Sequence, residues 1–238
     1  MLDIIAAIYG TAYCAAQIGL LIGLSPVRVA TKLAAFAAAT TWLATIVAVF
    51  ALGVLPPGSL GPVPVNLLPF TLLFVLLFGS WFLVPQSHTA LLSVPLPALV
   101  AVHAGRVGGL IFLLLFFDGR LSAPFAPAAG VGDMITGAVA LLLVPTLALG
   151  FEVRSLWLKV WNAFGALDLV IALTLAVLSS PDTPFRVFTE GPGTQVMATL
   201  PWVLVPAILV PIDLLVHLAI ATKLKSVPRA TQVMAVAS

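Results

Sequence analysis

Residues 98–117 read ALVAVHAGRVGGLIFLLLFF and carry one charged side chain, Arg106. About 20 consecutive apolar residues are what an α-helix needs to cross the hydrocarbon core of a bilayer. The stretch therefore predicts a membrane-spanning helix that takes an arginine into the bilayer.

The rest of the chain has a similar composition. Of its 238 residues, 62% are hydrophobic and 8% are charged, whereas a soluble domain carries roughly 25% charged residues. We therefore expect an integral membrane protein with the lipid bilayer as its partner. This composition excludes a cytosolic enzyme, a nucleic-acid-binding protein and a disulfide-stabilised secreted domain, and the single cysteine, Cys14, has no partner for an internal disulfide.

Seven apolar stretches predict an all-α, polytopic transmembrane helix bundle. The predicted spans are residues 4–24, 33–55, 67–84, 98–117, 131–150, 160–178 and 200–221. The apolar segment 91–98 is too short to cross and contains Pro95 and Pro97, so we expect it to be interfacial or re-entrant. Residues 1–222 then form one transmembrane domain, and residues 223–238 form a basic cytoplasmic tail.

The distribution of basic residues predicts the orientation of the bundle. Cytoplasmic segments are enriched in Lys and Arg. With seven spans and the N-terminus outside, the inner segments hold Arg28, Lys32, Arg154, Lys159, Lys223, Lys225 and Arg229, and the outer loops hold Arg120 and Arg186. We therefore expect a multi-pass protein of the cell inner membrane with the N-terminus out and the C-terminus in the cytoplasm.

Several polar side chains fall inside the predicted spans. Such residues cost free energy in the bilayer and usually face the bundle interior. They are Gln17, His103, Arg106, Asn162, Asp168, Asp213 and His217. At a rise of about 1.5 Å per residue, most lie roughly 6–12 Å from the predicted cytoplasmic ends. We therefore expect them to form one ligand or proton site in the cytoplasmic half of the membrane.

The charges in this layer do not balance. Arg106 faces two carboxylates, Asp168 and Asp213, and in a low dielectric it should pair with one of them. The other carboxylate must then be protonated, or paired with a protonated histidine. An alternative is that the layer is a structural Arg–Asp lock that binds no ligand.

Asp133 lies at the predicted outer start of the fifth span, after Gly130-Val131-Gly132. An acidic side chain there suits the helix dipole, so it can be an N-terminal cap. Together with Thr136 it could instead form an outer gate.

Two prolines interrupt the last predicted span. Because proline has no backbone N–H, Pro206 and Pro211 leave the carbonyls four residues earlier, those of Trp202 and Ala207, without their helical donors. Such carbonyls supply ligand oxygens in some transporters, although proline is also common in ordinary membrane helices.

Familiar catalytic patterns do not occur in the sequence. A seven-span, N-out chain of this length suits a microbial rhodopsin, but no lysine lies inside the last predicted span to carry retinal. The motifs H-E-x-x-H, G-x-S-x-G and the P-loop are missing too. We therefore expect no catalytic residues and no enzyme.

Four groups of residues form a recognisable pattern: Arg106-Val107-Gly108-Gly109 with Phe112-Leu113; Phe125-Ala126-Pro127-Ala128-Ala129-Gly130-Val131-Gly132-Asp133 with Thr136-Gly137; Trp161-Asn162 with Gly165 and Asp168; and Leu200-Pro201 with Pro206, Val210-Pro211 and His217-Leu218. In these residues the chain resembles a family of small, uncharacterised bacterial multi-pass membrane proteins. The resemblance covers roughly residues 91–221 and implies no mechanism. His103 is not part of the pattern.

Three functions remain open from the sequence. The polar layer could bind a small solute or a proton in transport or ligand sensing. His103 and His217, on different spans at similar depth, could instead ligate a b-type haem for electron transfer. The chain could also be a non-catalytic structural subunit of a membrane complex.

Overall fold

The computed structural model describes residues 1–181 and 183–226, and it contains no strand within those residues. The helices are α1 (Leu2–Leu24), α2 (Val29–Ala51), α3 (Leu67–Leu83), α4 (Pro85–Ser93), α5 (Leu96–Val102), a 3₁₀ segment (His103–Gly109), α6 (Leu110–Phe117), α7 (Phe125–Ala148), α8 (Ser155–Leu178), a 3₁₀ turn (Gln195–Ala198), a π-helical turn (Val205–Leu209) and α9 (Val210–Ser226). The expected all-α architecture is confirmed.

Six helical segments of the described chain are long and apolar enough to span a bilayer. They are α1, α2, Leu96–Phe117, α7, α8 and Val205–Lys225. The number becomes seven if α3 and α4, which meet at a bend of 95°, form one span. The bend is at Val84, directly before the proline that begins α4.

Four predicted spans have boundaries that differ from the helices by four residues or more. α2 is Val29–Ala51 rather than 33–55, and α8 begins at Ser155 rather than at residue 160. α7 begins at Phe125 rather than at residue 131, since a proline in the first turn, here Pro127, has no intrahelical hydrogen bond to lose. The last span begins at Val205 rather than at residue 200 and continues to Ser226. The predicted tail is therefore helical up to that residue, and residues 227–238 lie outside the described part of the chain.

The segment predicted to be interfacial or re-entrant, residues 91–98, divides at Pro95. Its first part ends α4 at Ser93, and its second part begins α5 at Leu96. α5, the 3₁₀ segment and α6 then follow one another as a single 22-residue span. We call this composite helix the fourth span.

The last span lies at the centre of the bundle. Over an apolar stretch of 18 residues in the last span, 67% is buried inside the protein. The corresponding values are 44% for the fourth span and 6% for α2. The outward faces of the peripheral helices carry exposed apolar side chains such as Ile8, Leu33 and Leu142. Such surfaces suit contact with lipid, and the polar residues predicted for the site lie at the centre.

Polar contacts tie three chain segments together at the end of the bundle where α1 begins. Asp3 accepts two hydrogen bonds from Arg120, at 2.8 and 3.0 Å, and one from the indole of Trp202 at 2.8 Å. This pairing also raises the pKa of Arg120 above its ordinary value, chiefly through the hydrogen bond to the carboxylate. We call these three residues the entrance cluster.

Candidate functional site

The site is built around the 3₁₀ segment of the fourth span. Such segments have poorer backbone hydrogen-bond geometry than an α-helix. Two backbone carbonyls, one inside this segment and one directly before it, accept hydrogen bonds from the only two tyrosines in the chain, both on α1. Tyr13 donates to the carbonyl of Val102 at 2.9 Å, and Tyr9 donates to that of Gly105. α1 is thereby fastened against the segment that carries Arg106.

Glycines make this close approach possible. A Cβ atom at Gly105 would overlap the ring of Tyr13, and one at Gly108 would overlap the ring of Tyr9. On the opposite side, a Cβ at Gly109 would lie 2.7 Å from the carbonyl oxygen of Gly130 in α7. Small residues let membrane helices pack backbone to backbone, and here they bring α1 and α7 against the fourth span.

Arg106 is 3% exposed and has four polar partners. Its Nε donates to Asp133 Oδ1 at 2.7 Å, and its Nη2 donates to Asp168 Oδ2 at 2.6 Å. Its Nη1 donates to the carbonyl of Gly165 at 3.1 Å and lies 3.0 Å from Nε2 of His217. The guanidinium thus joins α7, α8 and α9 at a single point.

Asp133 belongs to this site, in contrast to the expectation of a helix cap or outer gate. Because α7 begins at Phe125, Asp133 lies eight residues inside the helix and its carboxylate reaches Arg106. Thr136, the other predicted gate residue, is also buried. Among the described residues its hydroxyl has no hydrogen-bond partner, while its carbonyl accepts a hydrogen bond from Trp161 at 3.1 Å.

Two further glycines make room for the polar side chains. A Cβ at Gly132 would overlap the carboxylate of Asp168, and one at Gly165 would lie 2.7 Å from Cε1 of His217. In both cases a polar side chain from a neighbouring helix occupies the space that a Cβ atom at the glycine would need. The small-residue pattern around Asp133 and Asp168 therefore shapes the site as well as the helix packing.

The hydrogen bonds of His217 define its tautomer. A guanidinium can only donate, so Nε2 of His217 accepts the bond from Arg106. The other ring nitrogen, Nδ1, then carries the proton and donates to Oδ1 of Asn162 at 2.9 Å. Asn162 in turn donates from Nδ2 to the backbone carbonyl of His217 at 3.1 Å. The imidazole is therefore neutral and fully bonded.

Asp213 lies apart from the guanidinium. Its Oδ1 accepts a hydrogen bond from Gln17 Nε2 at 2.8 Å and lies 3.3 Å from Nδ1 of His103. That approach is not aligned for a hydrogen bond, and neither ring nitrogen of His103 has a partner among the described residues. Both His103 and Gln17 are fully buried. Of the two carboxylates weighed from the sequence, the structure thus pairs Asp168 with Arg106 and leaves Asp213 beside a histidine.

The two histidines do not fit haem ligation. Their rings stack face to face, with centroids 3.9 Å apart and planes 17° from parallel, so no porphyrin fits between them. The Nε2 lone pair of His217 is also occupied by Arg106. The pairing of His103 with His217 as axial ligands is therefore wrong for this arrangement. Within the described residues there is also no group of three or more His, Cys, Asp or Glu placed to hold a metal ion.

The two carbonyls freed by prolines in the last span have protein donors. The Trp202 carbonyl accepts from the backbone N–H of Val205 at 3.1 Å. The Ala207 carbonyl accepts from the indole of Trp42 on α2, also at 3.1 Å. The expectation that these oxygens are unpaired was therefore wrong, and the oxygen freed by Pro211 fastens α2 to the last span.

A cleft opens between α1, the fourth span and the last span. It encloses about 620 Å³ including its open side, of which about 70 Å³ can be reached by the centre of a water molecule. Arg106, Asp133 and Asp213 contribute to its lining, together with Tyr9 and Tyr13. A cavity needs only about 10–15 Å³ by this measure to hold one water, so the cleft has room for several waters or a small solute.

Sequence reasoning missed the part played by Tyr9 and Tyr13. The available signal was helical spacing, since residues 9, 13 and 17 follow one another at intervals of four and share one face of α1. Tyrosine hydroxyls are unremarkable in a membrane helix until their acceptors are known. Those acceptors belong to another span, which the sequence of α1 alone does not identify.

The chain matches the model of a protein family over residues 62–225, and this family is described as a domain of unknown function, DUF8737. The match includes α3, α4 and the spans that follow, up to residue 225, and α1 and α2 precede it. No curated protein and no solved structure matches the chain.

Proposed function

The chain belongs to the DUF8737 family of unknown function, and we propose from the geometry of its site that it binds protons in the membrane interior and couples them to movement of a small solute. The protein has the apolar helices of an integral, multi-pass membrane protein. The proposed setting is a bacterial inner membrane with the N-terminus outside, as the basic residues favour.

The charge balance of the site supports this proposal. Two carboxylates, Asp133 and Asp168, pair with the one guanidinium, and a third, Asp213, lies beside His103. His217 is held neutral by its hydrogen bonds. If every carboxylate were ionised, the site would carry a net charge of about −2 in a low-dielectric environment. An uncompensated buried charge is costly, so protons or a bound cation must neutralise it.

The position of Asp213 is the observation that carries the proposal. Its carboxylate is not held by Arg106, it lines the cleft, and it lies 3.3 Å from an imidazole nitrogen that has no other partner within residues 1–181 and 183–226. A proton on the carboxyl group of Asp213 or on Nδ1 of His103 would allow a hydrogen bond between these two groups after a small rotation. The pair can therefore hold one proton that the cleft can supply or remove.

Infrared spectroscopy tests the proton site directly. Acidifying membranes that contain the full chain should produce the carbonyl band of a protonated carboxyl group, and Asp213→Asn should remove the largest part of it. Asp118→Asn is the matched control, because Asp118 is exposed in the loop after α6. Its spectrum should follow that of the wild type.

A second measurement tests movement of protons. In vesicles with a pH-sensitive dye and tetramethylammonium chloride inside and an acidic medium outside, the wild type should dissipate the pH gradient at least tenfold faster than Asp213→Asn. If wild-type and empty vesicles behave alike, and no carboxyl band depends on Asp213, the polar layer is a structural lock and the chain is better described as a scaffold subunit.

A further inference from the structure

The cleft combines an apolar aromatic wall with two carboxylates. Tyr9, Tyr13, Phe112 and Trp202 line it, and Asp133 and Asp213 are its acidic groups. Ligand pockets are mostly apolar with a few placed polar groups, and aromatic faces attract cations through the ring quadrupole. The aromatic wall and the negative charge of the carboxylates therefore both favour a cation as the ligand.

Arg106 does not make the cleft a site for anions. Its guanidinium has five N–H groups, and four polar partners already face them: Asp133, Asp168, His217 and the Gly165 carbonyl. An incoming anion would thus find at most one unengaged N–H and at least two nearby carboxylates. A cation would reduce the negative charge of the site.

We infer that this cleft binds a small organic monocation, an amine or quaternary ammonium, with its charge directed at Asp213 and its alkyl groups against the aromatic wall. The inference rests on the proposed function, since it names the class of solute that would exchange with protons. The accessible space of about 70 Å³ restricts the ligand to a few non-hydrogen atoms.

Protons and the organic cation would compensate the same charge. The titratable and charged groups that interact with Asp213 are Tyr13 and Cys14 on α1, His103 and Arg106 on the fourth span, and Asp133 on α7. His217 lies four residues further along the same helix and stacks on His103. Among them Arg106 remains positive throughout, so the negative charge to be compensated is that of the carboxylates. Binding of the cation should therefore release protons from the site, which is the requirement for an exchange reaction.

Gly10 offers a way to block the cleft without touching the charges. It lines the cleft, and a Cβ atom built on it meets no other atom within 4 Å. The larger side chain of Gly10→Leu should fit the fold and fill the space. Gly19→Leu is the matched control, because Gly19 lies on the same helix with equally open surroundings and does not line the cleft.

The test is calorimetric titration of the detergent-purified full chain with tetramethylammonium chloride, against sodium chloride and the neutral tert-butanol. We expect binding of tetramethylammonium with proton release into a weak buffer. Gly10→Leu and Asp213→Asn should each weaken this binding at least tenfold, and Gly19→Leu should leave it unchanged.

Two results would overturn the inference. One is wild-type protein that does not bind tetramethylammonium, or binds tert-butanol equally well. The other is Gly10→Leu that binds like the wild type. If the carboxyl infrared band still depends on Asp213 in either case, the proton site stands and only the solute class is wrong. If the cation binds and that band is missing, the proposed proton chemistry fails instead.

Discussion

Arg106 Nη1 lies 3.0 Å from Nε2 of His217, and because the guanidinium can only donate, the imidazole must present a lone pair to it. This contact gives the two stacked histidines different roles. His217 is bonded on both nitrogens, to Arg106 and to Asn162. His103, 3.9 Å away between ring centroids, has a bond on neither nitrogen among the described residues.

The two histidines should therefore respond differently to substitution. His217→Leu leaves one N–H of Arg106 Nη1 and the side-chain oxygen Oδ1 of Asn162 buried without a partner. The expected cost in unfolding free energy is about 1–3 kcal/mol. His103→Leu removes nitrogens that have no bond to lose, so its cost should be smaller. Thermal denaturation of both variants in detergent measures the contrast, and an equal or larger loss for His103→Leu would contradict the assigned bonding.

Gly132→Ala should disturb the pairing of Asp168 with Arg106. The added Cβ would occupy the position of the Asp168 carboxylate, so helix α7 or the ion pair must shift, at a cost of about 1–3 kcal/mol. Gly79→Ala is the control, because a Cβ there meets nothing within 4 Å. It should be neutral or stabilise the protein by up to about 1 kcal/mol. Denaturation midpoints that move together for both variants would refute the close packing at Gly132.

Trp42→Phe tests the hydrogen bond to the Ala207 carbonyl, which Pro211 leaves without a helical donor. The substitution keeps an aromatic ring but removes the N–H that bonds the Ala207 carbonyl. We expect a loss of about 0.5–1.5 kcal/mol in unfolding free energy. Trp157→Phe provides the comparison, since Trp157 is 64% exposed and its replacement should have little effect. A loss no greater than that of Trp157→Phe would mean that the indole bond does not stabilise the bundle.

The entrance cluster should contribute only a small, salt-dependent coupling. Asp3 and Arg120 are both partly exposed, and exposed pairs are worth about 0–1 kcal/mol and are screened by salt. A double-mutant cycle with Asp3→Asn and Arg120→Gln should give a coupling energy in that range that falls as sodium chloride is raised. A coupling that salt does not change would place the pair in a less solvated setting than the structure shows.

The proposed orientation can be tested by labelling single cysteines in intact cells. The native Cys14 is fully buried and should not react with a membrane-impermeant maleimide. Ser59→Cys, in the exposed loop after α2, should be labelled from outside, whereas Glu152→Cys, in the exposed loop after α7, should react only after permeabilisation. The opposite pattern would reverse the proposed orientation.

Much of the fold was predictable from the sequence, because a bilayer requires long apolar helices whatever their neighbours. Helix ends were less predictable where prolines lay in first turns, as at Pro127. The 3₁₀ segment of the fourth span could not be foreseen, since the geometry of His103–Gly109 depends on the helices that press against its glycines.

The members of the candidate site were only partly predictable. Arg106, Asp168 and Asp213 stand out in the sequence because charged residues are rare in membrane spans. Asp133 was misplaced because its helix begins earlier than expected, and the tyrosines of α1 gave no signal of their own. Which carboxylate the guanidinium holds depends on distances between helices that are far apart in the chain.

The sequence by itself determined that the chain has the composition of a membrane protein and that the acidic residues inside its spans outnumber the one arginine there. Both conclusions follow from composition and from the length of each apolar stretch. Only the tertiary structure decided that Asp133 and Asp168 share Arg106 while Asp213 faces a cleft beside His103. The physical reason is that pairing in a bundle depends on how closely helices approach, and here that approach is set by glycines whose contacts lie on other spans.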